Sequence, residues 1–230
     1  MMPKTIVIVG ASRGIGKELL TQFAQNEANR ILVLTRNLAP LQEFSSFKNV
    51  SLHEFDLEDK NVREKAESIF KTIDQIDILI NNAGKLVNKS FLDLTSEDMD
   101  MCYQVNAIGV MQTVQAAVPK MQEAGGHIVN ISSMGGFQGS VKFAGLSAYS
   151  TSKAALVSFT ELFAEEFKET KIKMNCLCLG AVQTEMLNEA FPGYEAPLSA
   201  REMASYMHDF AFNGNKFFNG KILPVSLSTP

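Results

Sequence analysis

The sequence predicts a doubly wound α/β fold, with a mostly or wholly parallel sheet of seven strands and helices on both faces. Short continuous apolar runs, typical of strands buried on both faces, alternate along the chain with segments of helical spacing. A glycine-rich turn joins the first of these strands to the first helix. The length of 230 residues favours one such domain, residues 1–230, over two small ones.

The composition argues against several classes of partner. The net charge of −4 gives no reason to expect nucleic acid or an anionic membrane surface. No apolar run is long enough to span a bilayer, and no signal peptide is visible, so we expect a cytoplasmic protein. The three cysteines and three histidines lack the spacing of a metal site. Buried, reduced thiols and no metal are therefore expected.

The first strand, Thr5 to Val9, runs directly into a turn with the spacing G-x-x-x-G-x-G, and helical spacing follows from Lys17 to Gln25. Between a strand and a helix, such a turn lets backbone N–H groups approach a pyrophosphate at the positive end of the helix. This context favours dinucleotide binding over a simple tight turn. The residues expected at this contact are Gly10, Ser12, Arg13, Gly14, Ile15 and Gly16.

The second strand, Ile31 to Thr35, ends at Arg36 and Asn37 without a carboxylate. An acidic residue at this point would hold the 2′-hydroxyl of NAD and repel a 2′-phosphate. Arg36, together with Arg13 of the turn, could instead bind the 2′-phosphate through charge-assisted hydrogen bonds. Two arginines that are merely solvated at the surface would be the simpler possibility, but their positions favour contact with the phosphate. The sequence therefore favours NADP(H), with NAD(H) left as the alternative.

The middle of the chain continues the alternation of strands and helices. A third strand, Ser51 to Phe55, precedes a helix from Asn61 to Ile73, and a fourth strand follows from Ile76 to Ile80. Residues 95–98, Thr-Ser-Glu-Asp, form a variant of the capping box that opens a long helix. Within that helix, Asn106 lies close to a glycine and lowers the helix propensity. Low helix propensity in the middle of a helix, in a sequence that is otherwise consistent with its fold, suggests a functional position.

The fifth strand, Gly126 to Ile131, leads into Ser132 and Ser133, and a helix is predicted from Ala148 to about Lys168 with Ser147 as its N-cap. On that helix, Tyr149 and Lys153 are four residues apart and share one face. A neighbouring ammonium should lower the phenol pKa from about 10. The pair could then transfer a proton near neutral pH, although a lone pair of this kind is also common on solvated helix surfaces.

Taken together, these motifs resemble the short-chain dehydrogenase/reductase family. The resemblance rests on the glycine-rich turn, the Asn-Asn-Ala-Gly sequence at 81–84, Asn106, Ser133 and the Tyr-x-x-x-Lys motif at 149–153. It covers nearly the whole chain, with Val9 where the family carries threonine and Leu179 where it carries proline. The resemblance implies a Rossmann fold with strand order 3-2-1-4-5-6-7.

The resemblance also implies roles for the residues that match. Tyr149 would be the general acid and base, with Lys153 lowering its pKa and holding the nicotinamide ribose. Ser133, with Ser132 as the alternative, would polarise the substrate carbonyl, and Asn106 would support a proton relay through a water.

Further cofactor contacts follow from the same resemblance. Asp56 and Leu57 would lie at the adenine, although Asp56 could also cap the next helix. The remaining predicted contacts are Asn82, Ala83 and Gly84 near the ribose, and Gly180, Val182 and Thr184, after the sixth strand (Lys171 to Leu179), near the nicotinamide. The implied activity is NADP(H)-dependent interconversion of a carbonyl and an alcohol. Reduction of a 3-oxoacyl thioester and general carbonyl reduction both remain open, as does a non-catalytic dinucleotide-binding regulator or scaffold.

The last part of the chain is expected to form the substrate end. Residues 185–197 would form a lid in which Met186, Leu187, Phe191 and Tyr194 form an apolar pocket, with Met186 and Phe191 in contact with a small carbonyl or alcohol substrate. The alternative is that this segment packs its own core. A second capping box, Ser199 to Glu202, opens a helix to about Phe212, and the last strand is predicted at Lys221 to Leu227. Surplus apolar positions on the helix that carries Tyr149, together with the resemblance, imply a homodimer or homotetramer.

Overall fold

Seven parallel strands form the central sheet of the computed structural model, which describes residues 3–227. The order β3-β2-β1-β4-β5-β6-β9 confirms the predicted order, with β9 as the seventh strand of the sheet. These strands are β1 Thr5–Val9, β2 Arg30–Thr35, β3 Val50–Glu54, β4 Ile78–Asn81, β5 Gly126–Ser133, β6 Ile172–Leu179 and β9 Ile222–Val225. Two short strands, β7 Val182–Gln183 and β8 Leu198–Ser199, form a separate parallel pair that the sequence did not predict.

Helices cover both faces of the sheet. They are α1 Gly14–Ala24, α2 Val62–Phe70, α3 Ser96–Tyr103, α4 Gly109–Ala117, α5 Ser147–Glu166, α6 Glu185–Ala190 and α7 Ala200–Asn213. Residues of α1 and α7 share one core cluster, and residues of α2, α4 and α5 share the other. Among the described helices, none has the length and apolar content needed to cross a bilayer.

Alternate side chains of β1 enter the two cores on opposite faces of the sheet. Val7 and Val9 belong to the cluster beneath α2, α4 and α5, whereas Ile6 and Ile8 belong to the cluster beneath α1 and α7. All four are at most 2% exposed. Burial on both faces explains why this strand reads as a continuous apolar run. The three cysteines are buried and unpaired, as expected.

The structure confirms both predicted capping boxes and corrects a third prediction. The side chains of Thr95 and Ser199 each accept a hydrogen bond from the residue three positions on, which bonds back to the cap. Ser147 is not an N-cap, because it is already the first residue of α5 and the cap position belongs to Leu146. Leu146 is only 5% exposed, so packing of the preceding loop, rather than a side-chain cap, determines where α5 begins.

The long helix predicted after Thr95 is interrupted. Its two parts, α3 and α4, are separated by a π-helical segment, Gln104–Ile108, that contains Asn106. Asn106 is fully buried, and its amide bonds to the backbone of Lys85 instead of facing solvent. Single π-helical turns of this kind commonly occur at functional sites, which supports the interpretation of the Asn106 region as more than a packing element.

Candidate active site

A cleft at the carboxyl ends of the strands contains two adjoining cavities, a larger one of about 460 Å³ and a smaller one of about 380 Å³. Arg13, Asn82, Gly84 and Met186 line both cavities. In an open α/β sheet, ligands bind in the crevice beyond the carboxyl ends of the strands, where the strand order reverses. The position of the cleft is therefore that of a dinucleotide site.

Most of the residues predicted from the sequence lie along this cleft. The larger cavity is lined by Arg13, Gly14, Ile15, Asn82, Gly84, Ser133, Tyr149, Lys153, Gly180, Val182, Thr184, Met186 and Phe191. The smaller cavity is lined by Gly10, Ser12, Arg13, Arg36, Asp56, Leu57, Asn82, Ala83 and Gly84. Gly16 and Asn106 line neither cavity, but both contact residues that do: Gly16 lies against the Gly10 carbonyl oxygen, and Asn106 bonds to the backbone of Lys85.

The glycine-rich turn leaves the start of α1 open to a ligand. The helix begins at Gly14 without a side-chain cap and without an acidic residue in its first turn. Asn82 Nδ2 donates to the carbonyl oxygen of Gly10 at 2.6 Å, which joins the turn to the end of β4. A Cβ at Gly16 would lie 2.0 Å from the same oxygen, so only glycine fits there. This uncapped helix end fits the pyrophosphate of a dinucleotide.

Both arginines predicted to bind the 2′-phosphate are paired with carboxylates that sequence reasoning missed. Arg13 donates through both terminal nitrogens to Glu189 on α6. Arg36 Nη1 lies 3.2 Å from Glu58 Oε1, and Lys85 Nζ lies 3.8 Å from the same oxygen. Glu58 and Glu189 are far from their partners in sequence, so no local pattern could have identified these pairs.

Asp56 and Thr184, two predicted cofactor contacts, also have structural roles. Asp56 Oδ1 accepts a hydrogen bond from the backbone N–H of Glu58 at 3.0 Å, which shapes the turn after β3. The N-cap of α2 is Asn61, so the alternative that Asp56 caps this helix is not observed. Thr184 caps α6 by accepting from the N–H of Leu187 at 3.3 Å.

Tyr149, Ser133 and Lys153 face the larger cavity together. The two serines at the end of β5 differ in their bonding. Ser132 is buried, and its hydroxyl donates to the Lys153 carbonyl at 2.9 Å. Ser133 Oγ accepts from the N–H of Gly135 at 3.1 Å, and its side chain interacts with the Tyr149 phenol. Ser133 is therefore better placed than Ser132 to reach a substrate.

The protonation states of Tyr149 and Lys153 are governed mainly by burial. Burial raises the pKa of Tyr149, and the interaction with Ser133 opposes this shift. Burial also lowers the pKa of Lys153 to about 8. The Lys153 ammonium, 3% exposed, donates to the Ile131 carbonyl at 2.8 Å. The sequence predicted a lowered pKa for Tyr149, but the net shift is upward, because desolvation of the phenol dominates.

A buried polar network connects Asn106 to the helix of Tyr149. Asn106 Oδ1 accepts from the N–H of Lys85 at 2.8 Å, and Nδ2 donates to Ser152 Oγ at 2.9 Å. Ser152 Oγ in turn donates to the carbonyl oxygen of Tyr149 at 2.7 Å. A Cβ at Gly84 would lie 3.4 Å from Lys153 Nζ and 3.5 Å from Asn106 Oδ1. The amide and the ammonium thus flank one glycine of the cleft.

The segment predicted as a lid lies over the larger cavity. Met186 and Phe191 line that cavity, and no residue of α6 is buried. The alternative, a helix that packs its own core, is therefore not observed. The end of α6 is held by a hydrogen bond of 2.9 Å from Asn88 Nδ2 to the Ala190 carbonyl, in addition to the ion pair of Glu189 with Arg13.

The loop after Ser133 supplies cavity residues that no local sequence pattern indicated. Lys142 donates to the carbonyl oxygens of Gly135 and Phe137, at 3.0 and 2.6 Å, and so folds this loop back on itself. Other lining residues that sequence reasoning did not assign to the site include Leu86, Phe143 and Leu146, whereas Leu187 and Tyr194 line the cavity as expected. Phe143 reaches the cavity from this loop.

Comparisons with known proteins agree with this geometry. A family model described as short chain dehydrogenase matches residues 4–195. The chain is 33% identical over 199 residues to dehydrogenase/reductase SDR family member 6 of Aquarana catesbeiana, covering 86% of this chain and 78% of that protein. It is 33% identical over 190 residues to the 3-oxoacyl-[acyl-carrier-protein] reductase FabG of Aquifex aeolicus, covering 80% and 75%. The solved structure of ElxO with NADP bound matches with a TM-score of 0.84 and 26% identity, covering 97% of each chain. The chain belongs to the short-chain dehydrogenase/reductase family of oxidoreductases.

Proposed function

We propose that this protein interconverts a carbonyl compound and an alcohol with NADP(H) as cofactor. The observation that carries the proposal is the convergence of Tyr149, Ser133 and Lys153 on one cavity. That cavity adjoins the smaller cavity of the cleft, which is lined by the glycine-rich turn and by Arg13 and Arg36. A titratable phenol beside a dinucleotide cleft suits proton transfer that accompanies hydride transfer.

Tyr149 is the proton donor and acceptor in this proposal. Because burial raises its pKa, the phenol is protonated at neutral pH and can donate to a carbonyl oxygen during reduction. In the oxidation direction the same oxygen, as phenolate, removes the hydroxyl proton of the alcohol. Ser133 donates a hydrogen bond to the substrate oxygen and so stabilises the charge that develops there. The nicotinamide cofactor supplies or accepts the hydride.

Lys153 and Asn106 support the same chemistry. The Lys153 ammonium lies next to Gly84, a lining residue of the cleft, where it can hold the hydroxyls of the cofactor ribose. With a pKa lowered to about 8, it can also release and regain a proton near neutral pH. Asn106 fixes the adjacent backbone through Lys85, so that a relay of protons to Lys153 keeps its geometry.

A screen of NADPH consumption across carbonyl classes tests the proposal. We expect turnover with at least one class among 3-oxoacyl thioesters, simple ketones and aldehydes, sugars and pteridine-like carbonyls. Tight NADPH binding without turnover of any class would instead indicate a dinucleotide-binding regulator or scaffold.

We also propose that Arg13 and Arg36 select NADP(H) over NAD(H). In support, ElxO, a structural relative, was solved with NADP bound, and Arg36 is reachable from solvent with its side chain 64% exposed. Arg36→Ala should weaken NADPH binding by about ten- to a hundredfold, because a charge-assisted contact is lost. NADH binding should barely change. Calorimetric titration of both cofactors measures the difference.

Two further variants sharpen this test. Glu58→Gln should strengthen NADPH binding, since it removes a carboxylate that pairs with Arg36 and repels a phosphate. Arg63→Ala, at an exposed pair with Glu67 on α2, is the matched control and should change neither affinity. Equal wild-type affinities for NADH and NADPH would contradict the assignment.

A second proposal concerns assembly into a homodimer or homotetramer. The adjacent helices α3 and α5, with the π-helical segment between α3 and α4, expose apolar side chains that the monomer leaves uncovered. These are Met99, Tyr103, Ile108 and Leu162, with Leu162 67% exposed. Burial of such a surface against a second copy would stabilise the assembly.

Light scattering at micromolar concentration tests the assembly. We expect a mass at least twice that of the 25.3 kDa chain, and Leu162→Glu should shift the population towards the monomer. Leu92→Glu is the matched control, since Leu92 is 90% exposed and lies in the turn before α3. A strictly monomeric wild-type protein would rule the proposal out.

A further inference from the structure

We infer that the substrate is an uncharged ketone or aldehyde with an apolar body. It binds as a free small molecule, not as an anionic thioester or on an acidic carrier protein. This inference rests on the proposed function and narrows it to one substrate class. It is carried by the apolar walls of the larger cavity and by the charges at its rim.

Two segments of the chain supply the aromatic lining of the larger cavity. Phe143 comes from the loop after Ser133, and Phe191 and Tyr194 come from the lid segment. Leu146 and Leu187 extend the apolar lining from the same two sides. Phe143 and Tyr194 remain 57% and 50% exposed, so a bound molecule would gain from covering them. Rings of this kind favour an apolar or aromatic group next to the reacting carbonyl.

Cations near the larger cavity already have partners. Arg13 is held bidentate by Glu189, and Lys153 donates to the Ile131 carbonyl beneath the site. On the loop that carries Phe143, Lys142 is engaged with two carbonyl oxygens and the Ser140 hydroxyl. Among the described residues that line the larger cavity, Arg13 and Lys153 are the only cations. Glu189 already compensates the charge of Arg13, and in the proposed function Lys153 binds the cofactor ribose. An anionic group of the substrate would therefore have to compete with Glu189 and with the cofactor ribose for these two cations.

The lid segment at the rim of the cavity carries negative charge. The exposed lid residues include Glu185, Glu189 and Glu195, and positions 184–200 contain no lysine or arginine. If a cofactor 2′-phosphate takes Arg13, Glu189 is released and the rim becomes more negative. Such a rim repels carboxylates, nucleotide-bearing thioesters and an acidic carrier protein, because like charges facing each other across an interface are unfavourable.

Matched substrate pairs test the inference with NADPH as the reductant. We expect kcat/KM to be about tenfold or more higher for acetophenone than for 4-acetylbenzoate, which adds only a carboxylate. The N-acetylcysteamine thioester of 3-oxobutanoate should likewise be reduced faster than its coenzyme A thioester. Glu185→Lys should shrink the ratio between neutral and anionic substrates, whereas Glu27→Lys, at an exposed position outside the cavity lining, should leave it unchanged.

A substitution at Phe143 tests the contribution of the apolar wall to substrate binding. Phe143→Ala should lower kcat/KM for acetophenone more than for a small methyl ketone such as acetone. Phe217→Ala removes an equally large ring that is 78% exposed and lies outside the cavity lining, so it should not change either value. Turnover that favours 4-acetylbenzoate or the coenzyme A thioester would overturn the substrate class while leaving the oxidoreductase activity intact.

A binding measurement separates the two proposals. If no carbonyl is reduced, the proposed function fails, and calorimetric titration of the NADPH-saturated protein still tests the cavity. Tighter binding of acetophenone than of 4-acetylbenzoate would support an apolar, uncharged ligand. Tighter binding of the carboxylate, or binding of neither compound, would overturn the inference.

Discussion

Replacing Tyr149 by phenylalanine should lower kcat for carbonyl reduction by at least about 10²- to 10⁴-fold, the usual contribution of general acid–base catalysis. The variant keeps the ring in the lining of the larger cavity and removes only the transferable proton. NADPH should still bind, because the glycine-rich turn and both arginines are unchanged. Steady-state rates with an active substrate, together with a cofactor titration, measure the two effects separately.

The pH profile adds a second readout for Tyr149. Because burial raises the pKa of this phenol, reduction should hold its rate across neutral pH, where the phenol stays protonated. Alcohol oxidation needs the phenolate and should therefore speed up as the pH rises. Tyr206→Phe, on α7 and outside the cavity lining, is the control and should keep wild-type rates. A Tyr149→Phe variant with near-wild-type kcat would show that another group transfers the proton.

Replacing Lys153 by methionine should abolish most activity while making the ligand-free protein more stable. The ammonium is 3% exposed, and burial lowers its pKa from 10.5 to about 8. At about 1.4 kcal/mol per pKa unit, the buried charge costs about 3 kcal/mol at neutral pH. Loss of the hydrogen bond to Ile131 offsets about 1 kcal/mol of the gain. Methionine has a similar length and no charge, so it should fill the same space.

The pH dependence identifies the buried charge as the cause. The folded-state pKa of Lys153 is lower than the unfolded value, so the unfolded chain binds more protons between about pH 8 and 10.5. The free energy of unfolding of the wild type therefore rises with pH through this window. The advantage of Lys153→Met should be largest below pH 8 and vanish above about pH 10.5, as urea unfolding at several pH values would show.

The control for this variant is Lys168→Met, which removes an exposed ammonium from a surface pair with Glu165 and should change stability little. A Lys153→Met protein that is less stable than the wild type at pH 7 would contradict the prediction. So would a stability difference that is the same at pH 7 and above pH 10.5. Whatever its stability, the Lys153→Met variant should bind the cofactor more weakly if the ammonium holds the ribose. Calorimetry measures this affinity independently of stability.

Short-range patterns in the sequence were sufficient to predict the main strands and where two of the helices begin. The β-branched run at Thr5–Val9 predicted β1 at its observed bounds, because a strand buried on both faces needs apolar residues at every position. The capping boxes at Thr95 and Ser199 were predictable for a similar reason, since a cap and its partner lie only three residues apart. The strand order came from the family resemblance carried by the glycine-rich turn and the Tyr-x-x-x-Lys motif.

The sequence by itself determined most of the elements, the family and most of the residues that converge on the cleft, because these depend on short-range patterns. Only the tertiary structure decided how those residues interact. The pairing of Arg13 with Glu189 joins positions 176 apart, and the wall formed by Phe143 and Phe191 joins two separate loops. The start of α5 at Ser147 depends on packing of the preceding loop. The raised pKa of Tyr149 follows from burial, which the i,i+4 spacing to Lys153 does not encode, because desolvation depends on everything packed around the phenol.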